Sequence, residues 1–383
     1  MKSSRKVTAT AIFLLAAFLS AVMYAPVAAL PTKAKQALVV EYSTGRTLLK
    51  KNADAPMHPA SMTKMMTAFM VFDRLRSGTL SLDTKFRVSK RAWKKGGSRM
   101  FLKPNDTVSV EDLIRGIIVQ SGNDASIVIA EGISGSEEDF AREMTEKAHE
   151  IGMKDSTFKN ASGWPDEEHL TTARDLATLI DTTIREFPDF YHYYAEAEFK
   201  YANINQRNRN PLLGLGIGAD GLKTGHTEVA GYGLAASAIR KNRRIIVVVN
   251  GLASKQDRAR ESRYLLNWAY RTFDTYRLFL AGETVADASV WLGAASSVPL
   301  ILERDLFVTL KKRSRKQLRV IAKYTEPIVS PIRRGDRLGV LVVNAPGEDM
   351  VQLPLIAGAS VAELGRMGRL SALINHLLWG KSQ

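Results

Sequence analysis

A serine and a lysine three residues apart stand side by side when a helix carries them, because one turn returns the chain to the same face. In "HPASMTKMMTAFMVFDRLRSG", residues 58–78, Ser61 and Lys64 have that spacing at the start of an apolar helix. Two readings follow. Either Ser61 caps the helix and Lys64 points to solvent, or Ser61 is a nucleophile and Lys64 takes its proton. The second needs no histidine. Backbone amides at a helix N-terminus can stabilise an oxyanion, and an apolar bed can lower a lysine pKa from its usual value of about 10.4. Spacing alone favours the cap, since Ser3–Lys6 and Ser156–Lys159 share it.

Two further elements bear on the choice. Ser121-Gly122-Asn123 is the only Ser-x-Asn in the chain, and Lys223-Thr224-Gly225 is the only Lys-Thr-Gly. Each has a plain alternative, Asn123 as a helix cap and Lys223-Thr224 as exposed edge-strand residues. Together they place a serine, two lysines, a second serine and an amide in an order that can build a nucleophile, its base and a proton relay.

The elements that must position these residues follow from periodicity. "ALVVEYSTGRTLLKKN" (37–52) alternates about a turn and predicts a β-hairpin. Met62, Met65, Met66, Phe69, Phe72 and Leu75 form one broad face of a helix over 60–76. A second helix covers 109–120, with Ser109 and Asp112 as a capping-box variant, and helices follow at 124–133, 136–151 and 171–185. Past Gly221 the period becomes two: "LKTGHT", "GYGLAASAI" and "RRIIVVVNGL" predict three consecutive antiparallel strands, and 257–276 a helix on that sheet. Strands, helices and strands again predict an α+β domain from about 30 to 275. Residues 276–359 read as a small β-rich domain, in which "KKRSRK" (311–316) is expected as a solvated hairpin tip. Over 360–383, Val361, Leu364, Met367, Leu370, Ile374, Leu377 and Leu378 make one stripe, with Trp379 near the end, which predicts an amphipathic helix lying on a membrane.

The totals bound the rest. Lys and Arg number 54 against 39 acids, a formal charge of +15, and there is no cysteine, so thiol chemistry and disulfides are excluded. Lys2, Arg5 and Lys6 precede an apolar stretch that ends in "VAA" at 27–29, which predicts a signal peptide over 1–29, an uncleaved anchor being the rival. An exported basic protein has a membrane surface or wall polymer as its anionic neighbour rather than nucleic acid.

Taken together, "PASMTKMMT", "FLKPNDTVSVEDLIRGIIVQSGNDA", "TTARDLA", "NRN" and "DGLKTGHTEVAGYGLAAS" resemble, in order, the blocks of the D-alanyl-D-alanine carboxypeptidases, which are low-molecular-mass penicillin-binding proteins. The resemblance covers nearly the whole chain after the signal. It implies a β-lactamase/transpeptidase-like catalytic domain, with an antiparallel sheet, helices on its faces and a helical subdomain, then a small all-β domain and a membrane-holding amphipathic helix. It implies that Ser61 attacks the carbonyl between the last two D-alanines of a peptidoglycan stem, with Lys64 as base. Ser121 and Asn123 would relay protons and hold the substrate amide, supported electrostatically by Lys223. The amides of Ser61 and His226 would form the oxyanion hole, Thr224 and Arg209 would bind the terminal carboxylate, and Gly225 would let the strand approach the ligand. β-Lactams would be covalent inhibitors, no cofactor or metal is implied, and the enzyme would work in the periplasm at the outer face of the cytoplasmic membrane.

Two competitors are weaker. A class A β-lactamase would carry Glu-x-x-Leu-Asn, whereas residues 167–171 read "EEHLT". A non-catalytic wall-binding scaffold is expected to have lost Lys64 or Asn123. Metal hydrolysis finds only half of its motif in "HEIGM" (149–153).

Overall fold

The computed structural model describes residues 32–347 and 349–379; the expected signal peptide, its cleavage point and Ser3–Lys6 lie outside them. Strands β1 (Gln36–Glu41) and β2 (Thr47–Lys51) form the expected hairpin. A 3-10 turn over Ala60–Thr63 leads into α1 (Lys64–Arg76). The sequence suggested a helix with one buried face from residue 60. Instead every residue from Lys64 to Phe72 is buried, which makes α1 the central helix of its domain, enclosed on all sides.

A small ribbon, β3 (Lys85–Arg87) with β4 (Thr107–Ser109), brackets the short α2 (Lys90–Lys94). Helix α3 (Val110–Ile118) starts where expected, with Ser109 Oγ accepting from the Asp112 amide at 3.1 Å. Then come α4 (Asn123–Ser134), α5 (Glu137–Glu150), α6 (Ala173–Glu186) and a second ribbon, β5 (Glu198–Tyr201) with β6 (Ile204–Arg207). The three strands read from period two are β7 (Ala219–Thr227), β8 (Gly231–Arg240) and β9 (Arg243–Leu252). Lys241 and Asn242, both at positive φ, make the tight turn between the last two.

These strands complete an antiparallel sheet in the order β2-β1-β9-β8-β7, with β7 at an edge. Ile245 to Asn250 are buried without interruption, so both faces of the sheet are covered. Ile246 and Val248 join the core built by α1, α3, α4, α5 and α6. Ile245, Val247 and Val249 point the other way, where α7 (Lys255–Thr272) packs with Leu265, Leu266 and Ala269 buried. The C-terminal half of α1 is held by an aromatic cluster: Phe72 stacks on Phe190 at 5.3 Å and meets Tyr194 edge-on at 6.3 Å, and Phe69 meets Phe187 at 4.9 Å. The helix that begins with Lys64 is therefore anchored far from its functional end.

Helix α7 passes directly into β10 (Phe273–Phe279), so the expected boundary at 275 falls inside a strand. The second domain continues with β11 (Thr284–Trp291), β12 (Ser297–Ile301), β13 (Leu306–Lys311), β14 (Arg319–Tyr324), β15 (Ile328–Val329), β16 (Arg337–Asn344) and β17 (Val351–Ala357). Strand β10 pairs with β13, and the others form a sheet in the order β14-β16-β17-β12-β11-β15. From Thr32 onward the chain forms one unit. The β1–β2 turn reaches the second domain through Thr44 Oγ1, 2.8 Å from Thr309 Oγ1, and through the Arg46 guanidinium, which donates to the Thr309 carbonyl.

Two expectations are corrected here. The run at 311–316 is no hairpin tip, since β13 and β14 belong to different sheets; it is a 3-10 turn over Lys312–Gln317. Lys312 donates to the Tyr270 carbonyl at 2.9 Å and the Arg315 guanidinium lies 4.5 Å above the Tyr276 ring, so basic side chains clasp the domain junction. The last helix, α8 (Arg366–Trp379), starts later than the stripe suggested. Val361 is buried in the β-domain core and bridges Ile332, and the Leu364 amide donates to Leu292. The sequence stripe merged residues of the β domain with those of the helix. Leu377, Leu378 and Trp379 belong to α8 by backbone alone.

Candidate active site

Ser61 does not cap a helix. It sits inside the 3-10 turn, neither that turn nor α1 has a side-chain cap, and its Oγ lies 3.1 Å from Lys64 Nζ. The preceding residue, Ala60, has φ +48°, a sparsely populated conformation for a residue with a Cβ. Two glycines allow the turn to sit so tightly. A Cβ on Gly163 would lie 1.8 Å from the Ala60 carbonyl oxygen, and one on Gly225 2.7 Å from that of Pro59. The close approach at Gly225 is thus to the turn that carries Ser61.

Lys64 is fully buried, yet its Nζ makes three polar contacts. Besides Ser61 Oγ, it donates to Asn123 Oδ1 at 2.8 Å and to the Ser162 carbonyl at 2.6 Å. Burial, followed by the nearby Arg209 charge, brings its pKa down to about 7, against smaller opposing effects of Asp124 and Glu137. A neutral amine has two N–H groups and one lone pair. With both N–H groups held by carbonyl oxygens, the lone pair is left for the Ser61 hydroxyl. That is the geometry of a general base.

The second motif lies at the α3–α4 junction. Asn123 Nδ2 donates to the Gly96 carbonyl at 2.9 Å and its own amide donates to the Ser98 carbonyl at 2.8 Å, so its side chain is fixed at both ends. Ser121 is buried, has φ +66°, and its Oγ has no hydrogen-bond partner within the protein. A buried hydroxyl left unpaired at the edge of a cavity is placed to serve an incoming group. The third motif is the edge strand β7. Lys223 is buried, donates to the Thr224 carbonyl at 3.3 Å, and has its pKa pushed well below the usual lysine range by burial and by Lys64, Arg209 and Arg258. His226 is exposed, its ring stacks on Tyr232 at 3.9 Å, and both residues line the groove.

Ser61, Ser121, Thr224, Gly225, His226 and Arg209 line one cavity of about 580 Å3, with Lys64, Asn123 and Lys223 behind its wall. All nine residues expected from the sequence are brought together. The other described Ser-x-x-Lys is not a catalytic pair: Ser156 Oγ donates to Asp175 at 2.7 Å, and Lys159 pairs with Glu168. Thr171 of "EEHLT" is buried against Ser156, and Glu167 is exposed.

The same cavity holds residues that the sequence did not reveal. Arg258, on the first turn of α7, is 8% exposed with Nε unpartnered, and Lys255 and Ser98 also line the wall. Ser98 Oγ accepts from Arg209 at 2.5 Å. Arg258 stands in a stretch whose only local signal is amphipathicity, so nothing in the sequence sets it apart. No acidic residue lines this cavity, whereas Arg209, Lys255 and Arg258 do; a carboxylate entering it meets concentrated positive charge.

Residues 24–254 match the model of the family described as D-alanyl-D-alanine carboxypeptidase. The chain belongs to that family. Residues 273–363 match the C-terminal domain of penicillin-binding protein 5, which accounts for the β-rich domain that follows the catalytic one. The D-alanyl-D-alanine carboxypeptidase DacC of Escherichia coli is 37% identical over 341 residues, covering 87% of this carboxypeptidase and 85% of that protein. Penicillin-binding protein 5 of Haemophilus influenzae superposes with a TM-score of 0.78 at 34% identity, over 87% of this chain and 99% of that one. Penicillin-binding protein D2 of Listeria monocytogenes, solved in its ampicillin-bound form, matches 63% of this carboxypeptidase and 99% of its own chain, at 29% identity and a TM-score of 0.58. The family assignment disfavours the β-lactamase and scaffold alternatives.

Proposed function

We propose that the protein is a serine-type D-Ala-D-Ala carboxypeptidase that removes the terminal D-alanine from peptidoglycan pentapeptide stems. The observation that carries this reading is the buried Lys64 amine, whose contacts leave one electron pair for Ser61. Lys64 takes the Ser61 proton as Oγ bonds to the carbonyl carbon between the two D-alanines. The oxyanion lies against the Ser61 and His226 amides. As the C–N bond breaks, the proton passes from Lys64 through Ser121 to the departing amine, and D-alanine leaves. Asn123 holds the substrate amide, and Lys223 supports that network electrostatically. Thr224 and Arg209 hold the terminal carboxylate, and Arg258 adds a second guanidinium in the same cavity. Water then attacks the ester carbonyl and gives a proton to Lys64, which passes it to Ser61 Oγ as the acyl bond breaks, and the shortened stem leaves.

A β-lactam carries a strained amide and a carboxylate in matching positions, so the same steps acylate Ser61. The ampicillin-bound relative supports that extension. The work site we infer is the outer face of the cytoplasmic membrane, after export by residues 1–29. Its support is α8, where Met367 is 83% and Leu370 56% exposed beside Arg366 and Arg369. Among the described residues no helix is long and apolar enough to cross a bilayer.

Purified protein is expected to bind fluorescent penicillin covalently and to release D-alanine from a pentapeptide ending in D-Ala-D-Ala. A Ser61→Ala variant is expected to do neither. Labelling of that variant would overturn the assignment of the nucleophile.

A further inference from the structure

Acylation makes a cation where the molecule already holds several. As Ser61 Oγ bonds to the substrate carbonyl, its proton moves to Lys64 Nζ, and an ammonium forms in a fully buried site. Arg209, Lys95 and Lys223 all act on that site, and each opposes a further positive charge. His169 adds no charge, because burial brings its pKa down to about 4 and keeps its ring neutral at pH 7. The acids that act on Lys64 are Asp124 and Glu137. Asp124 accepts from the amides of Met100, Leu102 and Ala125, so its charge is already shared among three donors.

Glu137 is placed differently. It is the first residue of α5, where the helix N-terminus favours a carboxylate, and it is 3% exposed. Its Oε1 accepts from the Ala161 amide at 3.2 Å, and its Oε2 from Arg91 Nη2 at 2.9 Å. The Arg91 side chain is half-exposed and also pairs with Glu138 at 2.7 Å, so solvent and a second acid already answer its charge.

Ala161 belongs to the segment that aims the base. Its carbonyl accepts at 2.6 Å from Thr67 Oγ1, one turn along α1 from Lys64. The next carbonyl, that of Ser162, accepts from Lys64 Nζ at 2.6 Å. Asn160 closes the segment on itself, its Oδ1 accepting from the Ser162 and Trp164 amides at 3.2 and 2.9 Å. Thr67 ties this loop to α1, and Glu137 ties it to α5. We propose that Glu137 is a positioning residue for the general base. It holds the 160–164 segment so that the Ser162 carbonyl orients Lys64, and it is a countercharge for the ammonium that forms there. The inference rests on the reading of Lys64 as the base for Ser61 and adds the acid that governs it.

The test follows penicillin acylation of the full chain from pH 5 to 9, with Tm measured alongside. Glu137→Gln keeps an acceptor for the Ala161 amide and removes the charge. The midpoint of its acylation profile is expected to fall by about half a unit to one unit, and its plateau rate by about threefold to tenfold, since a less basic amine is a weaker base. Glu137→Asp keeps the charge on an arm too short to reach both partners. Its midpoint is expected to hold while its plateau falls about threefold or more, as the segment loosens. Arg91→Gln breaks only the outer ion pair and is expected to leave midpoint and plateau as they are. A merely structural Glu137 would lower Tm without moving the midpoint, so an unmoved midpoint in folded Glu137→Gln would overturn the proposal. The same downward shift in Arg91→Gln would overturn it too. So would an unaltered plateau in Glu137→Asp, and that variant decides alone if Glu137→Gln does not fold. A flat profile in the unmodified enzyme would instead overturn Lys64 as the base, and this inference with it.

Discussion

Lys64 is a base only when it has shed its proton, and its burial sets the pH at which that happens. With a pKa near 7, the amine is mostly protonated at pH 5 and mostly neutral at pH 9. The sign follows directly: the second-order rate of acylation by penicillin should rise about tenfold per pH unit below 7 and level off above it. Stopped-flow acylation between pH 5 and 9 measures this, and a flat profile through 7 would contradict the role given to Lys64. Replacing Lys64 by arginine keeps a cation at the site but removes the base, because a guanidinium does not deprotonate in this range. A fall in acylation of about a thousandfold is expected for Lys64→Arg. Asn123 offers a contrasting lesson. Its Oδ1 faces Lys64 and its Nδ2 faces Gly96, so an aspartate there would lose the donor and face a carbonyl with charge.

At the scale of elements, the segment that supplies the Ser162 carbonyl depends on Gly163, whose φ of +74° and lack of a Cβ let it lie against Ala60. Gly163→Ala should destabilise the fold by about 1–3 kcal/mol and reduce acylation by tenfold or more, because Lys64 loses one of its two fixed acceptors. Thermal melting and penicillin acylation together check this; a variant with lowered Tm and unchanged acylation would separate Gly163 from the site. The elements also show what a sequence reveals. Hairpin β1–β2, the Ser109 cap and the strands β7 to β9 rest on local rules of alternation, capping and turn chemistry, and these were legible. The enclosure of α1 was not, because Thr67, Ala68 and Met70 look like a less apolar face until other helices cover them. The loops at 95–98 and 160–164 carry the carbonyls that orient Asn123 and Lys64, but backbone carbonyls leave no trace in residue type. The three motifs announced who takes part. Their partners are fixed by tertiary packing, and so is Arg258.

At the scale of the molecule, the structure sharpens where the chain can be cut. Val361 and Leu364 are bound into the β domain, so a truncation at 360 would damage that domain as well as remove the helix. Deleting 366–383 is the cleaner experiment. It should leave penicillin labelling and Tm within error of the full chain while moving the protein from membrane pellet to supernatant, provided residues 1–29 have been cleaved. Retention of the truncated protein in the pellet would count against α8 as the membrane contact. The domain junction gives the same proposal a mechanical meaning. Lys312 and Arg315 grip Tyr270 and Tyr276, Thr44 and Arg46 grip Thr309, and Leu364 is tied down two residues before α8 begins. There is little slack at either joint. With α8 resting on a bilayer, the active site would ride at a nearly constant height, like a blade on a short stiff arm, and trim only the stems that pass through that layer of the wall.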